Sequence, residues 1–129
     1  MPRIAPFVLH WEAPDSAICV IAVDGEADMA TAVKFNETFF DAARAGTRAV
    51  VADLSGVEFI DTSMLNALVV GHRRMARDHG RFAVVSPGDK VRRVLELTGL
   101  GQILAVFDDR AQAVAHVRAQ SRPAVRAQI

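Results

Sequence analysis

The sequence predicts an α/β fold in which a central mixed β-sheet of four to five strands packs against about four helices. Short apolar runs rich in Val and Ile alternate along the chain with longer segments in which apolar residues recur at helical spacing. Gly, Pro and Asp residues separate the two patterns. With 129 residues, of which 51% are hydrophobic and 23% charged, the chain suits one domain with a single core.

The strands are predicted from apolar runs that are bounded by turn residues. Residues 18–23 are continuously apolar, which is typical of a strand that is buried on both faces. A turn is expected at residues 13–16, because Pro14 fixes φ and Asp15 and Ser16 can bond to the nearby backbone. In chain order, the predicted strands cover residues 7–11, 18–23, 47–53, 82–85 and 103–107.

The helices are predicted from apolar residues at spacings of three and four. Thr31 is the expected cap of the first helix, and Gly46 ends it. The second helix is expected to bury a stripe made of Leu65, Leu68, His72 and Met75. The predicted helices cover residues 31–45, 62–79, 91–98 and the segment after Asp109.

Composition restricts the class of partner and the location. Lys plus Arg equals Asp plus Glu at 15 each, so no global charge favours nucleic acid or anionic lipid. Cys19 is the only cysteine, and its apolar surroundings predict a buried, inert thiol. No stretch reaches membrane-spanning length and no apolar leader is evident, so a cytoplasmic location is expected. We expect an N-terminal segment at 1–10, one domain at 11–119 and a disordered basic tail at 120–129.

The sequence lacks the residue sets that common enzymes need. It has no phosphate-binding Gly-rich loop with Lys and Ser or Thr, and no dinucleotide fingerprint. Its four histidines are scattered, so no metal or cofactor site is predicted. No nucleophile, base and orienting group come together in the sequence, and we therefore expect a protein without catalysis of its own.

The most informative stretch is residues 50–65, where a β-branched run leads into an acidic and hydroxyl-bearing step. Asp61, Thr62 and Ser63 lie where a helix should begin, and each can cap free backbone N–H groups. A helix start also favours a phosphate, so the step is either an ordinary cap or a cap whose hydroxyl is a switch. Asp28 and Asp61 each follow a predicted strand, so both are expected at one end of the sheet, either as working residues or as plain turn and cap residues.

Three segments of the chain resemble the STAS domain of bacterial anti-sigma-factor antagonists. The run DLSGVEFIDTS at 53–63 is similar to the signature in which a strand leads into Asp-Ser-Ser-Gly-Leu. The other two segments are VDGEAD at 23–28, similar to the upstream Gly-Glu-Leu-Asp element, and VRRVLELTGL at 91–100. The resemblance covers about residues 11–117 and implies a single STAS-like domain.

The resemblance implies a partner-switching regulator of transcription. In that family a serine/threonine protein kinase that is also an anti-sigma factor, and that carries the ATP, phosphorylates the first hydroxyl after the signature Asp. That position is Thr62, with Ser63 as the alternative acceptor. The unphosphorylated antagonist binds the kinase and releases sigma factor in a stress response. The alternatives are a stressosome-type STAS scaffold, in which a homodimer or larger self-assembly forms, and an accessory subunit of a membrane transporter.

The resemblance also implies which residues meet the partner, namely Asp28, Asp61, Thr62, Ser63 and Met64. Two of them depart from the family pattern. Thr62 stands where Ser is commoner, which keeps the hydroxyl and adds a methyl group. Met64 replaces the Gly of the signature, and we expect its thioether to be exposed in the docking face rather than packed in the core.

Overall fold

A computed structural model describes residues 7–120 of the chain as one α/β unit. The expectations for residues 1–6 and for the tail beyond 120 lie outside the described residues. The strands are β1 (Phe7–Asp15), β2 (Ile18–Ala27), β3 (Ala49–Ile60), β4 (Arg81–Val85) and β5 (Ala105–Phe107). The helices are α1 (Met29–Arg44), α2 (Thr62–Arg77), α3 (Asp89–Leu97), α4 (Arg110–Gln120) and a short 3-10 turn, Leu100–Gln102.

The five described strands form one mixed sheet in the order β1-β2-β3-β4-β5, which confirms the predicted fold class. β1 is antiparallel to β2, and the remaining neighbours are parallel. The parallel strands are joined through helices, so their carboxyl ends meet at one edge of the sheet. Among residues 7–120, no helix is long and apolar enough to cross a membrane.

The two faces of the sheet are covered unequally. Helices α1, α2 and α3 pack on one face, over inward side chains of β2 and β3 such as Ile21 and Val50. Helix α4 alone packs on the other face, through Ala113 and Val117. Cys19 is buried as predicted, and burial raises the pKa of its thiol.

Three strands extend further than their sequence pattern indicates, and one of them is β2, which continues through the acidic break after residue 23 to Ala27. The turn expected at 13–16 is shorter than predicted, because β1 continues to Asp15 after a register shift that accommodates Pro14. β1 also begins at Phe7 and so crosses the boundary that was expected after residue 10. β3 continues past residue 53 to Ile60, because two register shifts keep it paired with β2. The extension of β3 brings the end of that strand level with the end of β2.

Candidate functional site

The candidate site is the edge where β2 and β3 end and α1 and α2 begin; we call Asp28, Asp61, Thr62 and Ser63 the cap edge. The last residues of the two strands, Ala27 and Ile60, are paired in register. The backbone N–H of Asp61 donates to the Ala27 carbonyl oxygen at 3.0 Å. The prediction that Asp28 and Asp61 lie at one end of the sheet is therefore confirmed.

Asp28, and not Thr31, caps α1, so the predicted cap is wrong by three residues. An Asp28 carboxylate oxygen accepts the Thr31 backbone N–H at 3.2 Å, and the Asp28 N–H donates to the Thr31 hydroxyl oxygen at 3.3 Å. This reciprocal pair is a capping box in which Thr31 takes the place usually held by Glu or Gln. The buried Thr31 hydroxyl also donates to the Glu26 carbonyl at 2.9 Å. The backbone N–H and the hydroxyl of Thr31 are thus both hydrogen-bonded within the fold.

Of the three candidate caps that the sequence offered for α2, Asp61 is the cap, and it caps its helix less completely than Asp28 caps α1. One Asp61 carboxylate oxygen accepts the Met64 backbone N–H at 3.1 Å. Because the third helical residue is Met64, no side chain returns a bond to the cap residue. The N–H groups of Thr62 and Ser63 have no acceptor within residues 7–120. The start of α2 therefore keeps two backbone donors that can face an anion.

The two candidate hydroxyls differ in exposure. Thr62 is exposed and Ser63 is half-buried, and neither hydroxyl makes a hydrogen bond within the described part of the chain. The Thr62 hydroxyl is therefore the more accessible nucleophile at the cap edge.

Met64 does not lie on the surface, and the expectation that it belongs to the docking face is wrong. Its side chain is 0% exposed and packs in the core between the sheet and α1–α3. Leu65, Leu68 and Met75 of the predicted stripe are buried, and His72 is half-buried. The buried side of α2 is wider than predicted, because it also includes Met64, Ala67 and Gly71. Gly71 packs so closely on the Phe82 ring that a Cβ there would lie 2.9 Å from a ring carbon.

The cap edge is strongly anionic. Residues 18–33 and 49–72 contain no Lys or Arg, yet they supply Asp28, Asp61 and further exposed carboxylates at Asp24, Glu26 and Glu58. Gly56 makes room for Asp24, since a Cβ at Gly56 would lie 1.8 Å from an Asp24 carboxylate oxygen. Negative charge added at the start of α2 would stand beside the Asp61 carboxylate and add to the negative charge of this edge.

Two exposed apolar side chains next to the caps were missed by sequence reasoning. Met29 opens α1 directly after Asp28 and is 67% exposed, and Phe59 lies two residues before Asp61 and is 53% exposed. Phe59 is turned outward by the register shift between β2 and β3, which sequence periodicity does not reveal. Apolar side chains among carboxylates provide the kind of anchor that protein interfaces use.

A second acidic cluster lies on the opposite face, under the start of α4. Asp53 accepts hydrogen bonds from the Ser55 N–H and hydroxyl and from Arg110 Nε, at 2.9, 2.5 and 2.9 Å. Arg110 also contacts Glu12 of β1 at 3.0 Å. Burial by itself would raise the pKa of Asp53, but the hydrogen bonds from Ser55 and Arg110 outweigh it and the pKa lies below its ordinary value. This Asp53 cluster joins β1, β3 and α4, and its central carboxylate is buried and fully hydrogen-bonded.

Comparisons with known proteins agree with the geometry. The profile of the STAS domain matches residues 12–113. A protein of Thermotoga maritima with the provisional name anti-sigma factor antagonist is 32% identical over 102 residues, which are 78% of this chain and 90% of that protein. The anti-sigma-F factor antagonist RsfB of Mycobacterium tuberculosis is 29% identical over 106 residues, 82% of this chain and 86% of its own.

A solved structure extends the likeness to three dimensions. The crystal structure of an anti-sigma factor antagonist from Mycobacterium paratuberculosis superposes with a TM-score of 0.78 at 29% identity. The match covers 87% of this chain and 94% of the other. Both the sheet order and the placement of the helices are therefore those of a known class of regulatory domain.

Proposed function

The chain belongs to the STAS domain family, and we propose that it is an anti-sigma factor antagonist that is switched off by phosphorylation of Thr62. The names of its relatives support the first half of this proposal. The second half rests on one observation, the exposed Thr62 hydroxyl at the first residue of α2, beside the capping carboxylate of Asp61. The partner we propose is an anti-sigma factor that is also a serine/threonine kinase and that brings the ATP.

The partner kinase transfers the γ-phosphoryl group of ATP to the Thr62 hydroxyl oxygen, which loses its proton. The bond between the β- and γ-phosphates breaks, and ADP leaves with the partner. The phosphate adds about −1.5 to −2 charges at neutral pH. Folding tolerates that charge, because the start of α2 has two backbone N–H groups without an acceptor among the described residues and a positive helix end.

The added charge of the phosphate weakens partner binding more than it affects folding. The phosphate stands beside Asp61 and close to Asp28, so any group of the partner that approaches the cap edge meets a larger negative charge. A loss of about 4 kcal/mol from charge and bulk in a desolvated interface corresponds to an affinity about a thousandfold lower. The antagonist then releases the anti-sigma factor, which binds sigma factor again.

Thr62 is favoured over Ser63 as the acceptor by exposure. A kinase must bring the acceptor oxygen in line with the γ-phosphate, and a half-buried hydroxyl such as that of Ser63 is harder to place there. The methyl group of Thr62 stiffens its χ1 but leaves the hydroxyl accessible.

The test is phosphorylation by purified kinase-type anti-sigma factors from the source genome, with ATP, followed by intact-mass measurement. The wild type and Ser63→Ala are expected to gain one phosphate, and Thr62→Ala none. Peptide mapping should place the phosphate on Thr62, while circular dichroism checks that both variants are folded. Phosphate on Ser63, with normal modification of Thr62→Ala, would overturn the assignment.

A further inference from the structure

A groove between α1 and α2 combines an apolar floor with positive charge. It has a volume of about 370 Å³ and is lined by Phe40, Val70, Arg73, Arg74 and Arg77; we call it the arginine groove. Phe40 is half-buried and Val70 is 38% exposed. We propose that the arginine groove is a second docking region for the anti-sigma partner and that it takes an acidic segment carrying an apolar side chain. This inference rests on the proposed function and adds to it the chemistry of the partner surface.

The charge available in the groove comes from two of the three arginines. Arg74 is held in place, since its Nε lies 3.2 Å from an Asp78 carboxylate oxygen and its guanidinium lies 5.2 Å from the centre of the Phe40 ring. Arg73 and Arg77 are exposed and make no ion pair or hydrogen bond within residues 7–120. Two guanidinium groups, each able to bind a carboxylate through paired N–H donors, are therefore left for a ligand.

The α1 side of the molecule does not neutralise these arginines. Its exposed carboxylates pair with basic residues on the same helix: Glu37 with Lys34 at 3.9 Å, and Asp41 with Arg44. The rim of the groove on α1 is thus close to neutral, whereas the rim on α2 is positive. Charge complementarity selects an acidic occupant, and the apolar floor selects one that also carries a Leu-like or Phe-like side chain.

The groove continues the surface on which Thr62 lies. Residues at spacings of three and four follow one side of α2 and are all exposed: Thr62, Asn66, Val70, Arg73 and Arg77. At 1.5 Å per residue, Val70 lies about 12 Å and Arg73 about 16 Å along the helix from Thr62. An interface of ordinary size buries about 800 Å² per partner, which is roughly 28 Å across. Half of that width is about 14 Å, so a partner centred on Thr62 reaches Val70 at the near end of the groove, and a partner whose centre lies further along α2 covers Arg73 and Arg77 as well.

The exposed side of α2 thus carries opposite charges at its two ends, negative at Asp61 and positive at Arg73 and Arg77. Such a surface fixes the orientation of a partner, because a reversed approach would bring like charges together. It also disfavours a nucleic acid or an anionic membrane as occupant, since both would be repelled by the carboxylates of the cap edge. The charge of a protein segment can change sign over a few residues. Such a segment can therefore complement both the negative end of α2 and its positive end.

The experiment compares Arg73→Glu/Arg77→Glu with wild type for binding to purified kinase-type anti-sigma factors of the source genome. Lys90→Glu/Arg93→Glu on α3 is the matched control, because it makes the same charge change at two exposed residues outside the groove. Association and dissociation rates are measured at low salt and at about 0.5 M NaCl, where exposed charges are largely screened. Thermal melting checks that all three proteins are folded.

We expect the groove variant to bind about tenfold more weakly at low salt, mainly through slower association, and the difference to shrink at high salt. The control variant should bind within about twofold of wild type. Equal binding by the groove variant and wild type would overturn this inference and leave the proposed function standing. Failure of the wild type to bind any of the kinases would overturn the proposed function and this inference together.

Two further readouts decide what occupies the groove. A photo-reactive amino acid placed at Val70 should cross-link to an acidic stretch of the kinase, and a cross-link to a basic or uncharged stretch would contradict the proposal. Wild type and the groove variant are also titrated with vesicles rich in phosphatidylglycerol. Vesicle binding by the wild type that is lost in the variant would assign the groove to a membrane instead.

Discussion

Two pairs of an Asp and a hydroxyl-bearing residue lie close together in the chain but differ in how many of their hydrogen bonds are satisfied. Asp53 and Ser55 lie within β3, where the carboxylate accepts three hydrogen bonds and is 7% exposed. Asp61 and Thr62 lie just past the end of the strand, where the carboxylate accepts the backbone N–H of Met64 and the hydroxyl has no partner among residues 7–120. The difference shows that the same residue types are structural where all their hydrogen bonds are satisfied, whereas donors and acceptors that remain available are free for the switch that we propose.

The largest effect is expected from the side chain that lies directly beneath the cap edge. Met64→Ala should lower the free energy of unfolding by about 4 kcal/mol, because it leaves a cavity in the core. Met29→Ala, at the exposed first residue of α1, is the matched control and should change it by less than about 0.5 kcal/mol. Urea denaturation measures both. Similar values for the two variants would mean that Met64 is not a core residue.

The next largest effect on stability is expected from Asp53, and it distinguishes the Asp53 carboxylate from that of Asp61. Asp53→Ala should lower the free energy of unfolding by about 3 kcal/mol, because it leaves the Nε–H of Arg110 and the N–H of Ser55 without their acceptor, although Arg110 keeps its contact with Glu12. Asp61→Ala removes one cap bond and should cost about 1 kcal/mol. If Asp61→Ala proved the more destabilising of the two in urea denaturation, the contrast between a structural and a switching carboxylate would fail.

Asp53 should make the free energy of unfolding fall at low pH. Because its pKa is lower in the folded protein than in the unfolded chain, its contribution is complete above the unfolded value of about 3.9 and is lost as the pH falls through the folded value. Wild type should therefore lose more stability than Asp53→Asn between pH 6 and low pH. Denaturation curves of both proteins over that range test this, and parallel curves would contradict it.

The smallest effect on stability is expected at the switch itself. Thr62→Glu should change the free energy of unfolding by less than about 0.5 kcal/mol, because a negative side chain suits the first turn of a helix. It should nevertheless weaken binding to the kinase partner, although one carboxylate imitates a phosphate only in part. Calorimetric titration and thermal melting of the same sample separate the two effects. A large fall in melting temperature with unchanged affinity would refute the idea that the switch acts on binding.

Much of the cap edge could be predicted because its determinants are local. Asp61 as the cap of α2, and the common edge of Asp28 and Asp61, follow from strand-then-helix patterns within short windows of sequence. The cap of α1 was misplaced because Thr31 and Asp28 are both good caps, and the winner depends on a capping box whose hydroxyl also reaches the Glu26 carbonyl. The backbone around Glu26 therefore decides whether Asp28 or Thr31 caps α1.

The sequence by itself determined the alternation of strands and helices, the central sheet and the position of Thr62 at a helix start, because periodicity and capping act over a few residues. Tertiary structure decided that Met64 is buried, since α2 packs on the sheet with Met64 in the same core cluster as Leu68 and Met75. It also decided that Asp53 meets Arg110, a residue 57 positions away, and that the arginines of α2 line a groove with Phe40 of α1. These contacts join segments that are distant in the chain, and no local pattern encodes the geometry with which they meet.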